Sequence, residues 1–93
     1  MNKTRCTADT AVATGFTAPL KLHTVTITPT TATPTAGLLS IYDSATEAGT
    51  VVFSEWVFAT TPAHTVTLDC DMGNIYVGYD ATLANVSCTV TWQ

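Results

Sequence analysis

Two stretches of strict two-residue alternation constrain this chain more than anything else in it. From Val86 to Gln93, the residues Val86, Cys88, Val90 and Trp92 share one parity, while Ser87, Thr89, Thr91 and Gln93 share the other. From Val66 to Asp71, the inward candidates Val66, Leu68 and Cys70 alternate with Thr67, Asp69 and Asp71. Side chains of an extended strand point to opposite faces in turn, so each stretch reads as a strand with one face on a core and one toward water. No segment places apolar residues at helical spacing for longer than a turn or two. The candidate strands recur at intervals of about 8–14 residues, the rhythm of a sandwich or jelly roll. The expected fold is therefore all-β: an antiparallel β-sandwich, jelly-roll-like, with about seven to eight strands.

Along the chain, residues 1–10 are polar and without period, and they carry Lys3 and Arg5, two of the three basic residues. They read as an N-terminal arm, with residues 11–93 forming a single β-sandwich domain. A short strand is expected at Ala11–Thr14, ended by Gly15. In the next run Leu20 and Leu22 share one parity, and Val25 and Ile27 the other. A change of parity within one extended run needs an extra residue, so a bulge or a change of sheet is expected near His23 and Thr24. His23 reads as a structural histidine at that irregularity. Thr28 to Gly37, with Pro29 and Pro34, reads as a long connection, because proline withholds a ladder donor. Leu38–Asp43 follows as a strand and Ser44–Thr50 as its turn. Met72-Gly73-Asn74 is the turn into the strand Ile75–Tyr79.

Val51 to Phe58 holds Phe53, Trp56 and Phe58, and its parity is ambiguous. Placing Phe53, Glu55 and Val57 inward buries a carboxylate, which is costly without a partner. The expectation is therefore that Val52, Ser54, Trp56 and Phe58 point inward, leaving Val51, Phe53 and Val57 as an outward apolar stripe suited to meeting a neighbouring molecule. The expected core includes Val25, Ile27, Ile41, Val66, Leu68, Val77, Val90 and Trp92.

A charged fraction of only 11% is offset by threonine, the commonest residue, whose β-branched hydroxyl suits the wet side of a strand. No apolar run approaches the roughly 20 residues of a membrane span, so no membrane partner is expected. A net charge of −4 and a pI near 4.6 leave no basic face for phosphate contacts, so no nucleic acid is expected either. Cys6, Cys70 and Cys88 have neither zinc-ligand nor disulfide-framework spacing. Cys70 and Cys88 fall on inward parity, which does not decide whether they pair; both are expected to be buried and unreactive, and Cys6 on the arm is the expected accessible thiol. The N-terminus lacks the pattern of a secretory signal, and folding in a reducing cytoplasm is expected. Asn85-Val86-Ser87 then reads as a chance match to a glycosylation site.

No local motif composes a catalytic triad or phosphate loop, and the expectation is a protein that is not an enzyme. Asp69 and Asp71 share a strand face and read as solvated carboxylates rather than a calcium site, since the ligand loop is missing. No cofactor and no metal are expected.

Leu22-His23-Thr24-Val25-Thr26-Ile27, Gly37-Leu38-Leu39-Ser40-Ile41-Tyr42-Asp43, Gly49-Thr50, Ile75-Tyr76-Val77 and the closing Val86–Trp92, taken in that order, resemble small β-sandwich virion proteins of tailed bacteriophages. The resemblance spans roughly residues 20 to 93. It implies a capsid decoration (cement) protein, a homotrimer that binds and stabilises the lattice of the phage major capsid protein. Its place would be the virion, on the capsid surface, after assembly in the host cytoplasm. On that reading Val51, Phe53 and Val57 would lie between subunits, and Lys3 and Arg5 would meet the capsid. The competing class is a tail- or fibre-associated receptor-binding module, with Tyr42, Phe53 or Tyr76 stacking on a sugar.

Overall fold

The computed structural model describes residues 2–14 and 20–93. Among them the chain forms eight strands and no helix: β1 (Asn2–Cys6), β2 (Thr10–Ala13), β3 (Leu20–Pro29), β4 (Gly37–Asp43), β5 (Thr50–Val57), β6 (His64–Met72), β7 (Ile75–Tyr79) and β8 (Val86–Trp92). They make two four-stranded antiparallel sheets, one in the order β1-β8-β3-β6 and the other β2-β7-β4-β5. Met1 and Gly15 lie outside the described residues.

The inner faces are built as the alternation requires. Leu22, Val25, Ile27, Val86, Cys88 and Val90 of the first sheet and Leu39, Ile41, Val57, Ile75 and Val77 of the second are buried in one cluster. Of the expected core, Val25, Ile27, Ile41, Val77 and Val90 are fully covered, whereas Val66, Leu68 and Trp92 are half-buried. Val66 and Leu68 lie on β6, an edge strand with a neighbour on one side only. The shortest dimension of the molecule is 16 Å, enough for one layer of side chains between sheets about 10 Å apart.

The change of parity in β3 is a β-bulge. The register slips between Leu22 and Thr24 against both β6 and β8, which lets Leu20, Leu22, Val25 and Ile27 all face inward. His23 sits at the slip. Its Nδ1 donates to Asp69 Oδ1 at 2.9 Å, and Asp69 takes the left-handed conformation, φ 48°. His23 Nε2 is buried without a hydrogen-bond partner among the described residues.

The expected arm is corrected. Asn2–Cys6 is a strand that pairs along its whole length with β8, from Asn2↔Trp92 to Cys6↔Cys88. A backbone ladder needs no apolar period, so the polar sequence gave no sign of it. The attachment is reinforced from the opposite sheet: the Tyr79 hydroxyl lies 3.0 Å from the Cys6 carbonyl and 2.8 Å from the Val86 carbonyl, sharing its one proton between them. Cys6, expected to be the accessible thiol, is consequently buried.

The Pro/Thr connection is pinned rather than free. Thr30 N–H donates to Asn85 O, Thr35 bridges Ala84 and Pro34 is buried. Gly37 follows because nothing larger fits: a Cβ there would lie 2.6 Å from Leu83 Cβ. At the β6–β7 turn, Asp43 Oδ1 accepts from the N–H groups of Gly73 (3.1 Å) and Asn74 (3.0 Å).

Candidate interaction surface

Strand β5 is one edge of the second sheet; Val51 is exposed and Val52 packs against the core as expected, but from Phe53 onward its side chains point the opposite way to the expectation. Ile41 faces Phe53 but Tyr42 faces Val51, so Val52 is an extra residue that resets the parity. Beyond it Phe53 packs against the core and Val57 is buried within it, while Trp56 and Phe58 turn outward. The outward Val51/Phe53/Val57 stripe is therefore corrected: of the three, only Val51 is exposed. Glu55 can turn inward because it has a partner. Its Oε2 lies 2.7 Å from His64 Nε2, at the start of the neighbouring edge strand β6. His64 Nδ1 meanwhile donates to Pro62 O at 2.9 Å. Both ring nitrogens face acceptors, and the Pro62 carbonyl first, then Glu55, push the His64 pKa up.

The outer side of β4 and β5 carries the exposed apolar patch that the stripe was meant to be. Leu38 and Trp56 are cross-strand partners, 39% and 45% exposed, and Phe58, 59% exposed, meets the Trp56 ring edge-on at 6.4 Å. Leu38 and Trp56 can share this side because both lie on the parity that leaves the core. An edge strand also offers unpaired backbone groups, and the only carboxylate within β5 is turned inward. Such a surface is suited to being covered by another protein, by apolar contact or by an added strand.

Lys3 and Arg5 are exposed on the outer side of β1, beside Thr91 and Thr89. Neither forms an ion pair among the described residues. They stand at the other side of the sandwich from the patch, since β6 is the edge of the first sheet that meets β5, through His64 and Glu55, and β1 is the opposite edge.

A third grouping lies farther along the outer side of the second sheet. Tyr42 and Tyr76 are cross-strand partners whose rings meet edge-on at 6.2 Å. Gly78 provides room for the Tyr42 ring and for Glu47, since a Cβ there would lie 2.9 Å from Tyr42 Cε1 and 3.2 Å from Glu47 Cγ. Asp9 Oδ1 accepts from Tyr79 N–H, and a hydrogen bond with Asp9 pushes the Glu47 pKa up. Comparison with protein-family models, with curated proteins and with solved structures found no match to this chain. Phe53, the third aromatic of the expected sugar-stacking set, is not part of this surface, because it packs against the core.

Asp69 and Asp71 stand on the outer side of β6, engaged with His23 and, at 3.8 Å, with Lys21. Among the described residues no three His, Cys, Asp or Glu side chains form a metal-binding group. The three cysteines are free thiols. Burial raises Cys6 and Cys70 and pushes Cys88 up to about 12; the expectation that Cys70 is buried is corrected, since on the edge strand β6 it is only half-buried, the least covered of the three thiols.

Proposed function

We propose that this protein is a structural component of a phage virion: a capsid decoration protein that acts as a homo-oligomer, expected to be a homotrimer, on the major capsid protein lattice. The observation that carries the reading is the Leu38/Trp56/Phe58 patch on a free, uncharged edge. A thin sandwich with three large apolar side chains in the open gains by covering them, at about 25 cal/mol for each Å² removed from water. The resemblance of the β3, β4, β7 and β8 sequences to small virion proteins supports the choice of lattice. In this arrangement the patch faces the capsid.

The test is the copy number of the chain in purified particles of the phage that encodes it. Hundreds of copies per particle are expected. Absence from the particle would refute the reading. A few copies would favour the second reading, a tail- or fibre-associated sugar-binding module, which the Tyr42/Tyr76 pair beside Asp9 and Glu47 supports: aromatic rings with adjoining carboxyl groups suit the apolar faces and hydroxyls of a sugar.

A further inference from the structure

β1 and β6 are the two free edges of the first sheet, and they carry opposite charge on the same outer side. On β1 this side presents Lys3 and Arg5, without an ion-pair partner among the described residues. On β6 it presents Asp69 and Asp71, both exposed. Each keeps only a local contact, Asp69 with His23 and Asp71 with the well-exposed Lys21 at 3.8 Å. Between the edges the one exposed charge is Lys21 on β3, beside Asp71, and the rest of the face is threonine: Thr67, Thr24 and Thr91 stand in one cross-strand row, and Thr65, Thr26 and Thr89 in the next. Their hydroxyls are largely engaged with one another, Thr24 with Thr91 at 2.6 Å and Thr26 with Thr65 at 2.9 Å.

We propose that the first sheet joins copies of this chain head to tail, with β1 of one copy pairing antiparallel with β6 of the next. This rests on the homo-oligomer reading and specifies how its subunits meet. Three antiparallel steps separate β1 from β6 in the sheet, so the two edges run in opposite directions. A neighbour in the same orientation therefore presents β6 correctly to β1, and no two-fold axis is needed. Placing Lys3 opposite Asp71 and Arg5 opposite Asp69 satisfies both pairs in a single register. That register also keeps Thr4 opposite Cys70, both on the inner side, so neither strand is turned over. The like pairings are disfavoured by the same charges: β1 against β1 sets Lys3 opposite Arg5, and β6 against β6 sets carboxylates together. Edge charges that usually prevent association here select one partner edge. A head-to-tail contact closes into a ring when its rotation permits, as a trimer requires.

The experiment is sedimentation of the full chain at micromolar concentration, at low and high salt, for four proteins. These are the native chain, K3E/R5E, D69N/D71K, and the variant combining all four changes. Asn is used at position 69 because it tolerates the positive φ. The native chain is expected to form a closed oligomer that weakens with salt. Each double variant should dissociate at a concentration at least about tenfold higher, and the combined variant should recover much of the loss, because β1 is then acidic and β6 basic. Thermal unfolding of each variant monitors the fold. An oligomer indifferent to all the changes would overturn the edge pairing and leave the homo-oligomer reading standing. A native chain that stays monomeric would overturn both.

Discussion

Replacing Tyr79 with Phe tests the least expected part of the fold, the incorporation of the N-terminal strand. The Tyr79 side chain is 8% exposed, and its hydroxyl reaches from the second sheet to the carbonyls of Cys6 and Val86 in the first. Phe keeps the ring and the packing, so the change isolates the hydroxyl. Losing a buried hydrogen bond and leaving an acceptor without its donor costs about 1–3 kcal/mol. In a domain of this size each kcal/mol moves the unfolding midpoint by about 4–8 °C, so Y79F should melt roughly 5–20 °C lower. The loss should also be local. Amide hydrogen exchange at Asn2–Cys6 should accelerate more than in β3 or β4, and the Cys6 thiol should become open to alkylation. A midpoint within about 2 °C of the native value, with unchanged protection of β1, would refute the claim that this hydroxyl ties the strand down.

The corrected parity of β5 predicts a contrast between neighbours: Val57→Ala should cost about 1–3 kcal/mol, whereas Trp56→Ser should leave stability within about 0.5 kcal/mol, by denaturant unfolding. Equal effects would contradict the bulge at Val52. Native alkylation followed by mass mapping should label Cys70 first and leave Cys6 and Cys88 protected; early labelling of Cys88 would mean that β1 does not cover β8. The contacts of His64 raise its folded-state pKa, so the stabilisation they give is complete below the unfolded value of about 6.5 and is lost as pH rises through the higher folded value. Unfolding free energy should fall across that window, and His64→Gln should flatten the slope; an unchanged slope would remove the ion pair from the account.

Where one face of a strand is buried and the pairing is regular, the fold was legible in the residues. Val86 to Trp92 and Val66 to Asp71 displayed their faces directly, and the parity change across His23 marked the irregularity in β3, leaving open whether it was a bulge or a change of sheet. What escaped the sequence was non-local. Glu55 is acceptable on the inner side only because His64 lies across from it on another sheet, and Val52 could be recognised as a bulge only from the register with β4. These two facts together moved Phe53 and Val57 from the proposed surface to the core side, and brought Trp56 and Phe58 out. Asn2 to Cys6 shows no apolar pattern because its attachment rests on polar contacts: backbone bonds to β8, the Trp92 indole N–H donating to Thr4 Oγ1, and the Tyr79 phenol from β7. Of the expected interface residues, Lys3, Arg5 and Val51 are exposed; Leu38, which pairs with Trp56 in the apolar patch, was legible only as part of a strand.

The central claim, that the free edge and apolar side of β5 are the docking surface, is tested most directly by hydrogen exchange of the Thr50–Val57 amides in free and particle-bound protein. Among the described residues only β4 flanks β5, so the amides directed away from β4 have no ladder partner there and should exchange rapidly. On bound protein they should slow by at least about tenfold, while those of the opposite edge β2 stay unchanged. Identical exchange along β5 in the two states would contradict the assignment of this surface.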